Sequence, residues 1–229
     1  MPMRVAKGEM YPWVSHLKNY LGGACLHHCN YCYVSKMGAK FPNVRKKYSG
    51  KPRLHKNELT EKMEWGKSIF VQNNGDLFAK SIPSEWIIKV LSHCNKYPHN
   101  IYLFQTKNPA RFHEFIGLFP KNVILGTTIE TNRDYPVSKA PKPSERVKAM
   151  IKLTNRVAKM VSIEPIMDFD DNVMVRYIKL IQPKFVSIGA DSRKCGLKEP
   201  PKNKIEELIE QIKPITEVRL KPNLERLLK

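Results

Sequence analysis

Ile101-Tyr102-Leu103-Phe104-Gln105-Thr106-Lys107-Asn108-Pro109 is the stretch on which the fold turns. An unbroken apolar run over Ile101–Phe104 reads as a strand covered on both faces, as strands of a parallel sheet are. Gln105-Thr106-Lys107 ends it in polar residues. Asn108-Pro109 then reads as an N-cap followed by proline at the first helical position, which starts a helix through Phe112, Phe115 and Ile116. A strand runs straight into a helix with almost no loop between them.

The same rhythm extends in both directions. Upstream, Ser68–Gln72 reads as a strand. Pro83 opens a helix over Ser84–Lys96 whose Trp86, Ile87, Val90, Leu91 and Cys94 share one apolar face. Downstream, strands are expected at Val123–Ile129, Arg156–Ile163, Lys184–Ile188 and Glu217–Leu220. Helices are expected from a Ser144 cap to Leu153, over Asn172–Ile181 and Asn203–Ile212, and after Pro222. Trp13–Leu17 with Tyr20-Leu21 makes a weaker first strand, and Glu58–Trp65 a short helix. Alternating strands and helices with short connections imply a parallel sheet. Six or seven strands are fewer than the eight of a closed barrel, so the expected fold is α/β, a partial, open, parallel β/α barrel. No repeat or composition shift divides residues 1–229, which read as a single domain.

At 229 residues, with 41% hydrophobic and 27% charged content, the chain is long enough for a substantial core. No apolar run approaches the ~18 residues of a membrane span, and Met1-Pro2-Met3-Arg4 begins no signal-peptide pattern. A cytoplasmic, membrane-free protein is expected. The 40 basic and 21 acidic residues leave a net charge of +19, which attracts polyanions, with nucleic acid foremost. Lys36, Lys40, Arg45, Lys46, Lys47, Lys51, Arg53 and Lys56 follow one another with no acid among them. Tyr33, Phe41, Tyr48 and His55 interleave with these cations, a pattern suited to stacking on unpaired bases. Residues 36–57 read as a basic, irregular insertion that is either an RNA or DNA contact or a solvated loop.

Three of the five cysteines lie in Ala24-Cys25-Leu26-His27-His28-Cys29-Asn30-Tyr31-Cys32-Tyr33, at spacing C-x3-C-x2-C. Thiolates this close on one loop can face one soft metal centre, and an odd cysteine count argues against a disulfide framework. Zinc needs a fourth ligand, which His27 or His28 could supply. Three cysteines alone leave one iron of a cubane cluster open. The motif, with Tyr31 as its aromatic, resembles the C-x3-C-x-aromatic-C signature of the radical S-adenosylmethionine superfamily. Asn74-Gly75-Asp76-Leu77-Phe78, Thr106-Lys107-Asn108-Pro109 and Ser162-Ile163-Glu164-Pro165 extend the likeness to the small phage and prophage-type DUF5131-like group. Spore photoproduct lyase looks like a more distant relative.

The resemblance implies a 4Fe-4S cluster on Cys25, Cys29 and Cys32, and S-adenosylmethionine on its open iron. It implies reductive cleavage to a 5′-deoxyadenosyl radical that abstracts hydrogen from a substrate. It also implies a one-electron reductant such as a flavodoxin or ferredoxin. Sites in parallel β/α folds gather at the C-terminal strand ends. There, Asn74 and Asp76 are candidates for the cofactor's amino group, although the superfamily's Gly-Gly-Glu-like segment is Asn-Asn-Gly-Asp here. Thr106 and Lys107 are candidates for its carboxylate, Thr128 and Glu130 for its ribose, and Gly189 for the adenine. Glu164 is either a site residue or the partner of Lys107 or Lys221 in an ion pair. Cys195 is a candidate hydrogen-atom donor or a bystander, and Cys94 belongs to the core. The expected substrate is a nucleotide or nucleic acid. The same chemistry on a peptide or small metabolite, and a non-catalytic, metal-stabilised nucleic-acid-binding module, remain as alternatives.

Overall fold

The structure is a computed structural model that describes residues 3–8 and 10–229. Met1 and Pro2, where the leader reading begins, lie outside the described residues. The chain opens with β1 (Arg4–Val5), β2 (His16–Lys18) and β3 (Leu21–Gly22). After the cysteines come α1 (Tyr33–Lys40), α2 (Pro42–Lys47), β4 (Arg53–Leu54) and a 3-10 turn over Lys56–Leu59. The strand–helix rhythm then begins with β5 (Ser68–Val71), α3 (Ser84–Asn95), β6 (Ile101–Thr106), a 3-10 segment over Pro109–Phe115 and β7 (Val123–Thr128). It continues through α4 (Pro143–Ile151), β8 (Ala158–Ile163), α5 (Asp171–Ile181), β9 (Phe185–Ile188), α6 (Lys202–Ile212) and β10 (Glu217–Leu220). A 3-10 turn at Pro222–Leu224 and α7 (Glu225–Leu228) end it.

The main sheet has eight strands in the order β1-β2-β5-β6-β7-β8-β9-β10. The seven from β2 to β10 run parallel, whereas β1 lies antiparallel on β2. The expected all-parallel sheet is therefore corrected to a mixed one. Among the described residues β10 does not return to β2, and the sheet resembles an open barrel. Six core strands fall within two or three residues of their expected bounds. The first strand is displaced to His16–Lys18.

Alternation along the strands sorts side chains between two cores. Tyr102, Phe104, Leu125, Val161, Val186 and Ile188 pack outward against the helices. Phe70, Leu103, Met160 and Phe185 point the other way and meet Tyr11 and Val14 from the lead-in. Arg219 lies over the Phe185 ring at 3.8 Å, and the Trp13 ring meets Phe185 edge-on at 5.3 Å. The inner face thus has an apolar floor, and its open end is at the C-terminal strand ends.

Four local expectations are corrected. Residues 36–57 are not irregular but two short helices and a strand, with Gly38 buried against the Arg45 backbone where the helices meet. Glu58–Trp65 is no helix beyond the turn at Lys56–Leu59. Asn108 caps no α-helix: its amide donates to Phe78 O at 2.9 Å, and the segment after it winds as 3-10. Similarly, α4 starts at Pro143, before Ser144, and Glu145 accepts from the Lys142 N–H at 2.9 Å. Among the described residues no helix is long and apolar enough to cross a membrane.

Candidate functional site

Strand β2 ends at Lys18, and the chain turns within a few residues into the cysteine loop, so the loop sits at the C-terminal end of the sheet. Gly23 makes this turn possible. Its φ of +88° disfavours a side chain, and a Cβ there would lie 2.3 Å from Lys51 O. Gly23 thus packs against the segment leading to β4. From the other side, a strap through residues 135–141 clasps the loop. The Asn30 N–H donates to Val137 O at 3.0 Å, and the Lys139 N–H donates to His27 O at 2.6 Å.

Cys25, Cys29 and Cys32 are all partly exposed and unbonded to one another. They are near enough that the thiolate of each of Cys29 and Cys32 disfavours that of Cys25. Burial pushes the Cys25 thiol up to about 12 and raises that of Cys29 as well. Anionic sulfur is therefore unfavourable on this loop unless a cation accompanies it. Among the described residues no group of three or more His, Cys, Asp or Glu is drawn together to hold a metal ion. His27 Nε2 is committed elsewhere, 2.7 Å from Asp76 Oδ2.

Asp76, expected to accept from a ligand, is saturated by the protein. Its carboxylate also accepts from Thr106 Oγ1 at 2.7 Å, Lys107 N at 2.8 Å and Phe78 N at 2.9 Å. Burial opposes its charge. The His27 ring and these donors more than offset burial and hold the carboxyl below its ordinary range. Thr106 is drawn into this network and away from the inner face; its hydroxyl accepts from Asn108 N at 2.8 Å. Its neighbour Gln105 faces inward instead, reaching Thr128 Oγ1 at 3.0 Å and accepting from the Tyr11 hydroxyl at 2.9 Å.

Glu130 anchors a second network. It accepts from the Tyr31 hydroxyl and from Lys107 Nζ, and from Arg146 Nη1 at 2.7 Å. Lys107 Nζ also donates to Tyr31 Oη at 2.7 Å. Burial again opposes the charge, but the two cations and the Tyr31 and Lys107 hydrogen bonds pull Glu130 down to about 2. The motif's aromatic residue thereby ties the cysteine loop to the ends of β6 and β7.

Asn74 lies at the mouth. Its Oδ1 accepts from Tyr33 Oη at 2.7 Å, and its Nδ2 donates to Tyr48 Oη at 3.0 Å. The same Tyr33 hydroxyl lies 2.7 Å from Asn73 O. Glu164 pairs with Lys221, both carboxylate oxygens 2.9 Å from Nζ, and accepts from Asn223 Nδ2 at 3.1 Å. The ion-pair alternative is thus realised with Lys221. Gly189 lies against this group, where a Cβ would stand 2.9 Å from Glu164 Oε1 and Asn223 Oδ1. Cys195 is half-buried on the loop after β9, whose Asp191 accepts its N–H. Cys94 is fully buried in α3, as expected of a core residue. A hollow of about 480 Å³ beside the cysteine loop is lined by His27, Lys80, Asn108, Lys139 and Arg146.

Sequence reasoning did not single out Arg146 or Gln105 as site residues, and it read Tyr33 as a stacking face where the structure bonds its hydroxyl to Asn74. A cue existed for Arg146, which interrupts the apolar face of α4 beside Val147 and Met150. Such an arginine is buried only with a partner.

A family model described as "Protein of unknown function (DUF5131)" matches residues 13–196. Among solved structures, a spore photoproduct lyase variant with bound AdoMet and dinucleoside spore photoproduct is similar at TM-score 0.56 and 13% identity. That match covers 92% of this chain and 64% of the other. Streptococcus suis SuiB bound to S-adenosylmethionine is similar at TM-score 0.57 and 10% identity, over 92% of this chain and 50% of that one. These likenesses establish a shared fold, and the chain spans less than two thirds of the length of these two relatives. No curated protein matches the chain.

Proposed function

The chain belongs to the DUF5131 family, and from that premise we propose that it is a radical S-adenosylmethionine enzyme acting on a nucleotide or nucleic acid. One observation carries the reading: a loop bearing Cys25, Cys29 and Cys32 lies at the C-terminal mouth of an open, largely parallel β/α sheet. The donor set fits a 4Fe-4S cluster, being three soft thiols with one corner left open. Of the two histidines the zinc reading could use as a fourth ligand, His27 is turned to Asp76, which leaves it only His28.

When bound, the cluster and S-adenosylmethionine supply an electron and a 5′-deoxyadenosyl radical for hydrogen abstraction. The protein's own part is to position and to shield. Cys25, Cys29 and Cys32 would hold the cluster. Tyr31, fixed by Glu130 and Lys107, sets the height of the loop over β6 and β7. Asn74, whose side-chain oxygen accepts from Tyr33 Oη and from Asn73 Nδ2 at 3.1 Å, would have to exchange one of these donors to accept from an amino group. Thr128 and Gly189 line the inner face for a ribose and an adenine. Glu164 and Lys221 add a neutralised pair below them. The apolar floor of Phe70, Leu103, Met160 and Phe185 keeps water from entering at the opposite end.

The test is anaerobic reconstitution with iron and sulfide, dithionite reduction, addition of S-adenosylmethionine and identification of the adenosyl product. 5′-Deoxyadenosine is expected, and none from Cys29→Ala. A protein that retains one zinc and never takes up a cluster overturns the reading.

A further inference from the structure

The basic segment is part of the mouth, not a loop beside it. Tyr33 at the start of α1 and Tyr48 at the end of α2 both bond to Asn74, which pins the helix pair over the end of β5. Arg53 from β4 donates to the carbonyls of Lys46, Lys47 and Ser49, closing the C-terminal end of α2. Lys36, Lys40, Arg45, Lys46, Lys51 and Lys56 project into solvent, and among the described residues none of them forms an ion pair. Lys47 is half-buried. Burial, together with Arg4, Lys18 and Arg53 against the opposing Glu58, lowers its ammonium from the usual lysine range. At the turn between the helices the Phe41 ring is 56% exposed among these cations. Burying that ring would stabilise it, but the described residues leave more than half of it exposed.

The opposite bank of the mouth is basic too. The loop after β9 carries exposed Arg193 and Lys194, neither in an ion pair among the described residues. It leaves the C-terminal end of β9, four strands along the curving sheet from the β5 end that carries the helix pair, and comes near enough to α1 for Lys36 to act electrostatically on Cys195. Two rows of unneutralised cations thus face each other across the strand ends, with an exposed aromatic ring on one of them.

We propose that a single-stranded nucleic acid lies across this mouth, its phosphates held by Lys36 and Lys40 on one bank and Arg193 and Lys194 on the other. A base stacks on Phe41. The proposal rests on the radical-enzyme reading only for where the reaction occurs. It narrows the substrate from any nucleotide to an unpaired strand, because a stacking face serves only bases freed from pairing.

The test is binding of a fluorescein-labelled, mixed-sequence oligodeoxynucleotide to the purified full chain, by anisotropy over a range of KCl. Each phosphate contact contributes a slope of about −0.7 in log affinity against log salt. Lys36→Gln with Lys40→Gln therefore flattens the slope by about 1.4, and Arg193→Gln with Lys194→Gln does the same. Phe41→Ala weakens binding about ten-fold with the slope unchanged. Exposed Lys89→Gln with Lys96→Gln, on α3 away from the mouth, leaves both unchanged. Unaltered thermal midpoints establish that the variants are folded. Salt-independent binding, equal losses from the α3 pair, or tighter binding of the matching duplex overturns the proposal. Formation of 5′-deoxyadenosine without oligonucleotide binding overturns it and leaves the enzyme reading standing. Mouth-dependent binding by a protein that takes up no cluster supports the surface and overturns the enzyme reading.

Discussion

His27 Nε2 lies 2.7 Å from Asp76 Oδ2, both side chains buried, so the cysteine loop is locked to the turn after β5 by a buried hydrogen bond. Asp76 is the hub, taking His27, Thr106, Lys107 and Phe78 together. Asp76→Asn keeps the shape but turns an NH2 group toward donors. Losing one partner of a buried pair costs about 3 kcal/mol. The urea midpoint should fall accordingly, and reconstituted iron per chain should drop because the loop is no longer fixed. An unchanged midpoint with full iron uptake would show that the loop holds itself.

Glu130 is buried with its carboxyl pulled down to about 2 from an ordinary 4.5. A depressed carboxyl contributes stability that is complete above 4.5 and lost as pH falls toward 2. The size is on the order of 3 kcal/mol. Denaturation measured through that interval should show a steep acid limb, shallower in Glu130→Gln. At neutral pH the same variant leaves Lys107 and Arg146 without their carboxylate and should be markedly less stable. A variant with a parallel acid limb would move the linkage to other carboxylates.

The parts of the fold legible in the sequence were those with burial on both faces. Ile101–Phe104, Val123–Leu125 and Phe185-Val186 are apolar without a break because helices cover one side and the inner core the other. α1 and α2 had no such signal: only Gly38 is buried in the first and nothing in the second, so no apolar stripe marks either helix. β1 was equally silent, two exposed residues in antiparallel pairing with β2. Polar strand ends could be listed from the sequence, but of their pairings only Glu164 with Lys221 was among the alternatives. Asp76 with His27, and Glu130 with Arg146, join residues whose spacing along the chain carries no periodic signal.

Gly189 stands where a side chain has no room. Its added Cβ would meet Glu164 and Asn223 at 2.9 Å, and Lys221 holds Glu164 from moving aside. Gly189→Ala should destabilise by about 1–3 kcal/mol through overpacking. In a Glu164→Ala background much of the crowding is gone, so the same substitution should cost less, and the two effects should fail to add. Strict additivity in a denaturant double-mutant cycle would mean the strain is relieved elsewhere.

His93 predicts a second pH dependence at the far side of the outer core. Its Nε2 faces Glu61 O at 3.0 Å, and a carbonyl only accepts, so Nε2 carries the proton. Nδ1 is then free to accept from Tyr20 Oη at 2.8 Å. This neutral ring satisfies both partners, whereas a second proton on Nδ1 would face the tyrosine hydroxyl. Burial, with Lys18 and Lys96 adding like charge, accordingly lowers its pKa from 6.5 to about 4. The unfolded chain binds that proton first, so stability is full above 6.5 and declines as pH falls from 6.5 toward 4. The window lies above that of Glu130, so the two are separable in one titration of the denaturant midpoint. His93→Gln should flatten the upper limb and leave the lower one intact, at the cost of a lower plateau near neutrality. If the upper limb survives in the variant, protonation elsewhere drives it and the neutral His93 bridge does not set the pH response.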